Sequence, residues 1–152
     1  MKYFLKELWL DMQQSDPEVR NKANLIWEQN GKNYQEFFKT ICHRIPKRFR
    51  TAYLQHHGFH DYEIKGISFS GIGQKSVCTL NLFSGTHSFF LRLYGIHRVH
   101  IDIPSFEGTI LGRLSWGYAE FELTEDDIIQ LSILCDLECE LTFAFEKIAL
   151  CQ

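Results

Sequence analysis

The chain of 152 residues is 45% hydrophobic, 14% aromatic and 23% charged, which is too apolar for intrinsic disorder and typical of a folded globular protein. Charges at residues 2, 6 and 7 interrupt any leader-like apolar run, and no later stretch approaches the ~20 apolar residues of a membrane span. We therefore expect a cytoplasmic protein without a membrane segment, whose five scattered cysteines are buried thiols.

The net charge of −3 hides an asymmetry along the chain. Residues 1–60 carry ten Lys/Arg and six Asp/Glu, whereas residues 114–152 carry a single Lys and nine Asp/Glu. A region so rich in carboxylates repels nucleic acid and favours a basic partner. A basic run at residues 43–50 is too small a signal for nucleic-acid binding, and we expect it to pair with the acidic region inside the chain or to lie in solvent.

Helical patterns occupy the first 58 residues. Apolar residues at three- and four-residue steps predict a first helix over residues 3–14. A capping box at residues 15–18 precedes a second helix, which we expect to end at Gly31. The same steps predict a third helix over residues 33–46 and a short fourth helix over residues 46–58.

From residue 61 the apolar residues alternate with polar ones, which is the period of a β-strand. The pattern predicts a bulge near Gly66, and it favours a strand over a helix for residues 125–134 because the apolar residues there alternate and include β-branched isoleucines. Residues 105–114 form the longest predicted loop. The predicted fold is one α+β domain over residues 1–152, in which three to four helices (1–58) pack on a six- to seven-stranded, mainly antiparallel sheet (59–152).

The densest group of side chains with catalytic potential is formed by His56, His57, His60 and Asp61. Zinc requires three or four converging ligands, but Gly58 is expected to end the helix between His56 and His60, so one helix face does not present both. The favoured interpretation is structural, with these histidines at a helix end and a strand start. A small metal-dependent hydrolase, with His100 recruited by the fold, is the alternative.

Two further patterns favour structural roles. His97 has the opposite strand parity to His100 and Asp102, so these three side chains do not share one face. Cys135 and Cys139 lack the second cysteine pair of a zinc knuckle and are expected in the core. The sequence contains no nucleophile elbow, Walker loop or dinucleotide fingerprint, and we predict no catalytic residue, metal or cofactor.

An acidic face of the predicted sheet is the most specific feature. The side chains on its outward side are Trp116, Tyr118, Glu120, Glu122, Glu138 and Glu140. Gln130 and Ser132 are expected between the two pairs of glutamates. Aromatic side chains beside uncompensated carboxylates are typical of a protein-binding surface. The competing interpretation is a solvated acidic face whose aromatic residues are covered by the helices.

Three stretches of the chain resemble a bacterial family of uncharacterised proteins with a domain of unknown function. They are Met1-Lys2-Tyr3-Phe4-x-Lys6-Glu7-Leu8 with Met12-Gln13, then Phe59-His60-Asp61, and a terminal pattern of Trp116 through Thr124, Ile128 to Asp136 and Phe143 to Ile148. The chain differs from that family in lacking a longer helical insertion between residues 14 and 58. The resemblance implies the two-part layout and a bacterial cytoplasmic protein, and it implies no activity.

Together these observations predict a non-enzymatic protein-binding module. Its most concrete form is a bacterial immunity-type or inhibitor protein that neutralises a basic toxin, such as a nuclease, through the acidic face. The metal-dependent hydrolase and a structural or regulatory domain without such a surface are the other hypotheses. The oligomeric state is left open by the sequence.

Overall fold

The computed structural model describes residues 1–102 and 114–151, with the side chain of Leu137 excepted. Within these residues the fold is α+β, as predicted, with the helices first and an antiparallel sheet after them. No described helix is long and apolar enough to cross a membrane. The predicted loop at 105–114 lies outside the described residues except for its last position.

The helices are α1 (Lys6–Asp11), α2 (Pro17–Ile41) and α3 (Lys47–Gln55). Short 3-10 turns follow α2 (Cys42–Arg44) and α3 (His57–Phe59). The strands are β1 (Glu63–Ser70), β2 (Val77–Ser84), β3 (His87–Asp102), β4 (Trp116–Leu123), β5 (Ile129–Cys135) and β6 (Glu140–Cys151). Two more 3-10 turns precede β2 (Gly73–Lys75) and β6 (Asp136–Glu138).

Helix α2 is continuous where the sequence predicted two helices separated at Gly31. A glycine inside a helix costs only about 1 kcal/mol, so packing along the rest of α2 outweighs it. Gly31 lies against the ring of Phe4, 3.9 Å from the position that a Cβ atom would take. The predicted capping box is also wrong in detail, because Asp16 is the N-cap and its carboxylate accepts a hydrogen bond from the Glu18 N–H at 2.8 Å.

Gly31→Ala should therefore raise the free energy of unfolding by about 0.5–1 kcal/mol, since the new methyl group makes an ordinary contact and the unfolded chain loses entropy. Gly58→Ala is the matched control, because Gly58 has φ +70° and its Cβ would lie 3.2 Å from the hydroxyl of Tyr53. That change should destabilise the protein. Urea unfolding of both variants measures the two effects, and a loss of stability in Gly31→Ala would contradict a continuous, well-packed α2.

The strands form one sheet in the order β1-β2-β3-β6-β5-β4, with every neighbouring pair antiparallel. The two edge strands approach each other at one corner, where Glu63 bridges Ser115 and the Trp116 N–H donates to the Tyr62 carbonyl at 2.8 Å. The bulge predicted near Gly66 is present between Ile64 and Gly66. A second bulge, between Ile96 and Arg98, joins two predicted strands into the single strand β3, so the part of the chain that the structure describes has six strands.

Two faces of the sheet are covered by different parts of the helical region. The inner face carries Phe121, Leu131 and Phe143, all fully buried, and Phe49 of α3 packs on Phe121 with their ring centroids 5.8 Å apart. The outer face carries Glu120, Ser132 and Thr142 in one cross-strand row. Residues 2–4 hydrogen-bond to Glu120 on this outer face and Lys6 lies beside Glu138, so the N-terminal region encloses strand β4 from both sides.

The edge of β4 is covered by α2. The Phe121 N–H donates to the hydroxyl of Tyr34 at 2.7 Å, so an edge amide that would otherwise face solvent has a partner. Burial raises the pKa of Tyr34 far above its ordinary value, so the hydroxyl stays protonated. All five cysteines are free. Cys78, Cys135 and Cys139 are buried as core residues, whereas Cys42 and Cys151 are partly exposed, so the prediction of five buried thiols is wrong for these two.

Candidate functional site

Glu120 is the centre of the predicted acidic face, but its side chain is only 1% exposed. Its carboxylate accepts three hydrogen bonds from consecutive backbone N–H groups of the N-terminal segment. The Lys2 N–H donates to Oε2 at 2.7 Å, and the N–H groups of Tyr3 and Phe4 donate to Oε1 at 2.6 and 2.5 Å. Hydrogen bonds to an ionised acceptor are roughly twice as strong as neutral ones, so Glu120 anchors the start of the chain to the sheet.

Aromatic side chains hold the anchored segment in place. Tyr3 packs against Tyr34 and Phe37 of α2, and its carbonyl accepts a hydrogen bond from the Asn30 side chain at 3.0 Å. Phe4 stacks on Tyr118, with ring centroids 5.4 Å apart. The N-terminal segment thus bridges α2 and the outer face of β4.

Tyr118 is covered, as the competing interpretation of the sequence expected for the aromatic residues. Besides Phe4, the rings of Trp27 and His60 pack on it at 4.7 and 5.1 Å between centroids. Its pKa is raised, first by burial and then by the nearby carboxylate of Asp61. Tyr118 is half-buried.

Trp116 does not lie on the outward side, where the sequence placed it. The register of β4 shifts between Trp116 and Tyr118, so the alternation reverses and Trp116 turns to the interior. It is 0% exposed and packs on Phe59, with ring centroids 5.7 Å apart. Trp116 is a core residue of this fold.

Glu122 lies on the outer face next to Gln130, as predicted, and accepts a hydrogen bond from its Nε2 at 2.5 Å. It opens onto an exposed depression of about 420 Å³ at the turn between β4 and β5. The lining of this acidic depression is Arg98, Glu122, Leu123, Thr124, Glu125, Asp126 and Gln130. No ion pair within the described residues uses Glu122, Glu125 or Asp126.

The other two predicted glutamates lie at the opposite end of β5. Glu138 is in a 3-10 turn rather than on a strand, and its carboxylate is 3.4 Å from the Lys6 ammonium. Glu140 begins β6 and stands opposite Asp102 of β3 and Leu134 of β5. The six predicted residues therefore do not form one surface, because Trp116 and Glu120 are internal and the others occupy two ends of the sheet.

Basic residues of the N-terminal part pair with the acidic region, as one interpretation of the charge asymmetry expected. The Arg44 guanidinium donates from Nη1 to both carboxylate oxygens of Asp127 at 2.6 Å and from Nη2 to the Asp127 carbonyl at 3.0 Å. These charge-assisted contacts to the side chain and backbone of Asp127, together with the contact between Lys6 and Glu138, fix the helical region to both ends of the β4–β5 unit.

The histidines at the helix-to-sheet junction have separate partners. His56 Nδ1 lies 2.8 Å from the Tyr62 hydroxyl, whereas His60 Nδ1 lies 3.0 Å from the Asp61 carboxylate. The pKa of His56 is lowered by burial and by neighbouring His87 and His57. Within the described residues, no group of three or more His, Cys, Asp and Glu side chains is placed to hold a metal ion.

A cleft of about 400 Å³ adjoins this junction, between α2, α3 and β4. Its walls are mainly aromatic, with Tyr34, Phe38, Tyr53 and Tyr118 among the lining residues. The backbone beside it is unusual, because His57, Phe59 and Asp61 all have positive φ, at 50°, 61° and 65°. A non-glycine residue with positive φ carries a conformational cost of order 1 kcal/mol. Two contacts offset that cost here: the packing of the Phe59 ring on Trp116, and the hydrogen bond from the Asp61 N–H to the Trp116 carbonyl.

A comparison with protein-family models found no match to this chain, and a comparison with curated protein sequences found none either. The family resemblance stays a prediction. The three stretches that carry it nevertheless meet around β4, since residues 2–4 bind Glu120 and the rings of Phe59 and His60 pack on Trp116 and Tyr118.

Sequence reasoning missed the N-terminal segment as the partner of Glu120. The donors are backbone N–H groups, which every residue except proline carries, so residue types gave no sign of this contact. The three consecutive acidic residues of the β4–β5 turn, Glu125 to Asp127, were not among the predicted site residues.

Proposed function

We propose that this chain is a non-enzymatic, cytoplasmic protein-binding module that binds a basic protein through the acidic depression at the β4–β5 turn. The observation that carries the proposal is a set of three carboxylates, those of half-buried Glu122 and of exposed Glu125 and Asp126, which have no ion pair within the described residues. Arg98 is the one cation in the described lining, so three carboxylates share the depression with a single positive charge and like-charge repulsion among them costs stability. A lysine or arginine from a partner would relieve that repulsion.

Other carboxylates of the acidic region already have partners within the chain, which supports the choice of the depression as the binding surface. Glu120, Asp127 and Glu138 already bind the N-terminal segment, Arg44 and Lys6. Those carboxylates stabilise the fold, whereas the depression remains open to solvent. Two of its residues, Glu125 and Asp126, lie on an exposed turn, where contact with a partner requires no rearrangement of the sheet.

Electrostatic attraction would act mainly on the rate of encounter. A patch of one charge raises the association rate with an oppositely charged protein by about 10–1000-fold at low salt, and the effect falls as salt screens the charges. In its most concrete form, the partner is a basic toxin, such as a nuclease, and the chain is the immunity-type inhibitor that occludes it. This form of the proposal rests on the same depression.

Affinity capture from a bacterial lysate, with quantitative mass spectrometry, tests the proposed surface. We expect proteins enriched on the wild type to be basic and to be captured at least about tenfold less by a variant with Glu122→Gln, Glu125→Gln and Asp126→Asn. A matched variant, Glu7→Gln, Glu18→Gln and Glu28→Gln, removes the same charge from exposed positions of the helical part.

The control variant separates a local effect from a change in overall charge. If the depression is the binding surface, the control should capture the same partners, in the same amounts, as the wild type at low salt and at high salt. Equal losses in both triple variants, or unchanged capture by the depression variant, would contradict the proposal.

A further inference from the structure

The two edges of strand β3 are paired over different lengths. β2 pairs with β3 only as far as Val77 opposite Tyr94, and the last contacts on that side are from the N–H groups of Gly95 and Ile96 to Ser76, at 2.9 and 2.8 Å. β6 continues to pair with β3 on the other side up to Asp102. Within the described residues, Arg98–Asp102 is therefore hydrogen-bonded along one edge only.

This open edge has a self-complementary sequence, Arg98-Val99-His100-Ile101-Asp102. Val99 and Ile101 share the inner face with Phe143 and Leu141, yet they are 37% and 39% exposed. The other three side chains lie on the outer face and are exposed. An unpaired edge with exposed β-branched residues is a ready template for another strand, and natural proteins usually cover or disrupt such an edge.

We propose that this edge binds the same edge of a second copy of the chain, as an antiparallel pair with its two-fold axis at His100. In that register Arg98 of each copy stands opposite Asp102 of the other, and Val99 stands opposite Ile101. Two ion pairs and two apolar pairs form at once, each of which stabilises an antiparallel ladder. The contact is isologous, so it closes as a dimer.

The charge around Asp102 independently favours this occupant. Within one chain, Asp102 stands directly opposite Glu140 on β6, and like charges in opposite positions destabilise a strand pair. No described residue forms an ion pair with Asp102 or with Arg98. Arg98 from a second copy would supply the missing cation beside both carboxylates.

A five-residue strand pair is a small contact, so the dimer should be weak and dependent on concentration. Sedimentation velocity of the whole chain, from about 10 µM to 1 mM, should show a rising dimer fraction, since small interfaces bind in about this range. Arg98→Asp and Asp102→Arg should each reduce association at least about tenfold, because each places like charges opposite one another twice.

The charge pattern gives two rescue measurements. The double variant R98D/D102R restores opposite charges and should associate like the wild type, and an equimolar mixture of the two single variants should form a heterodimer. Arg92→Asp is the matched control, because Arg92 is exposed on the same strand and face but lies where β2 and β6 flank β3. It should associate like the wild type.

Three results would overturn the proposal. The first is a wild type that stays monomeric at the highest concentration. The second is single variants that associate as the wild type does. The third is a failure of rescue, in which both single variants are monomeric and the double variant is monomeric as well. The last outcome would exclude the register centred on His100. Because the three substituted side chains, Arg92, Arg98 and Asp102, are exposed, circular dichroism of each variant should match that of the wild type.

Discussion

Replacing Glu120 by alanine should lower the free energy of unfolding by about 3 kcal/mol, because three N–H groups lose a charged acceptor in a buried setting. The N-terminal segment would then lose its attachment to the outer face, and Tyr118 beneath Phe4 would become more exposed. Urea denaturation measures the loss. Since domains of this size are stable by about 5–15 kcal/mol, the variant should still fold.

Two variants define the cause of that loss. Glu120→Gln keeps an oxygen for Tyr3 and Phe4 but presents an amide donor to the Lys2 N–H, so it should cost less than alanine. Glu122→Ala removes a half-buried glutamate two residues along the same strand, whose contact is to the Gln130 side chain, and should cost under about 1 kcal/mol. If Glu120→Ala proved no more costly than Glu122→Ala, the N-terminal anchor would be wrong.

Trp116→Ala should cost about 3–5 kcal/mol, as expected for truncating a fully buried aromatic side chain. The indole packs on Phe59, and the backbone of Trp116 exchanges hydrogen bonds with Asp61 and Tyr62 at the corner where the two edge strands meet. A cavity there would loosen the junction between the helical region and the sheet. Thermal and chemical unfolding of the purified variant give the change directly.

Phe69→Ala is the comparison for Trp116, because Phe69 is a sheet aromatic that is 54% exposed. Its loss should cost under about 1 kcal/mol. A Trp116→Ala variant as stable as Phe69→Ala would place Trp116 on the surface and restore the original partner-binding interpretation of that residue.

The sheet was predictable because its alternation of apolar and polar residues is regular. β2 is an example, with Cys78, Leu80 and Leu82 buried and the intervening residues more exposed. The preference for strand over helix in β5 was also correct, since β-branched residues and alternation agreed there. The error in the helical part came from treating Gly31 as a stop signal, although a single glycine is a weak helix breaker.

The inverted orientation of Trp116 arises from a local departure from alternation. A Cβ atom on Gly117 would lie 2.7 Å from the Leu134 carbonyl oxygen, so the backbone at the bulge comes closer than any other residue would allow. A glycine inside an otherwise regular strand is a known sign of a bulge. The prediction assumed strict alternation through Gly117 and ignored the bulge, so it placed Trp116 on the wrong face of the sheet.

The candidate site was only partly predictable from side-chain types. Glu120, Glu122, Gln130 and Ser132 do share the outer face, because the strand register follows from alternation. Whether each carboxylate is buried depends on the tertiary position of residues 2–6, which no local pattern encodes. The histidine cluster shows the opposite case, since Gly58 interrupts the helix between His56 and His60, as its residue type predicted, and has φ +70°.

The acidic face is divided into an internal part around Glu120 and an exposed part at the β4–β5 turn. Amide hydrogen exchange at Lys2, Tyr3 and Phe4 tests this division most directly. If Glu120 binds these three N–H groups, their exchange should be slowed more than about 100-fold relative to an unstructured peptide, and Glu120→Ala should abolish that protection. Exchange of all three amides at the rate of an unstructured chain in the wild type would contradict the division.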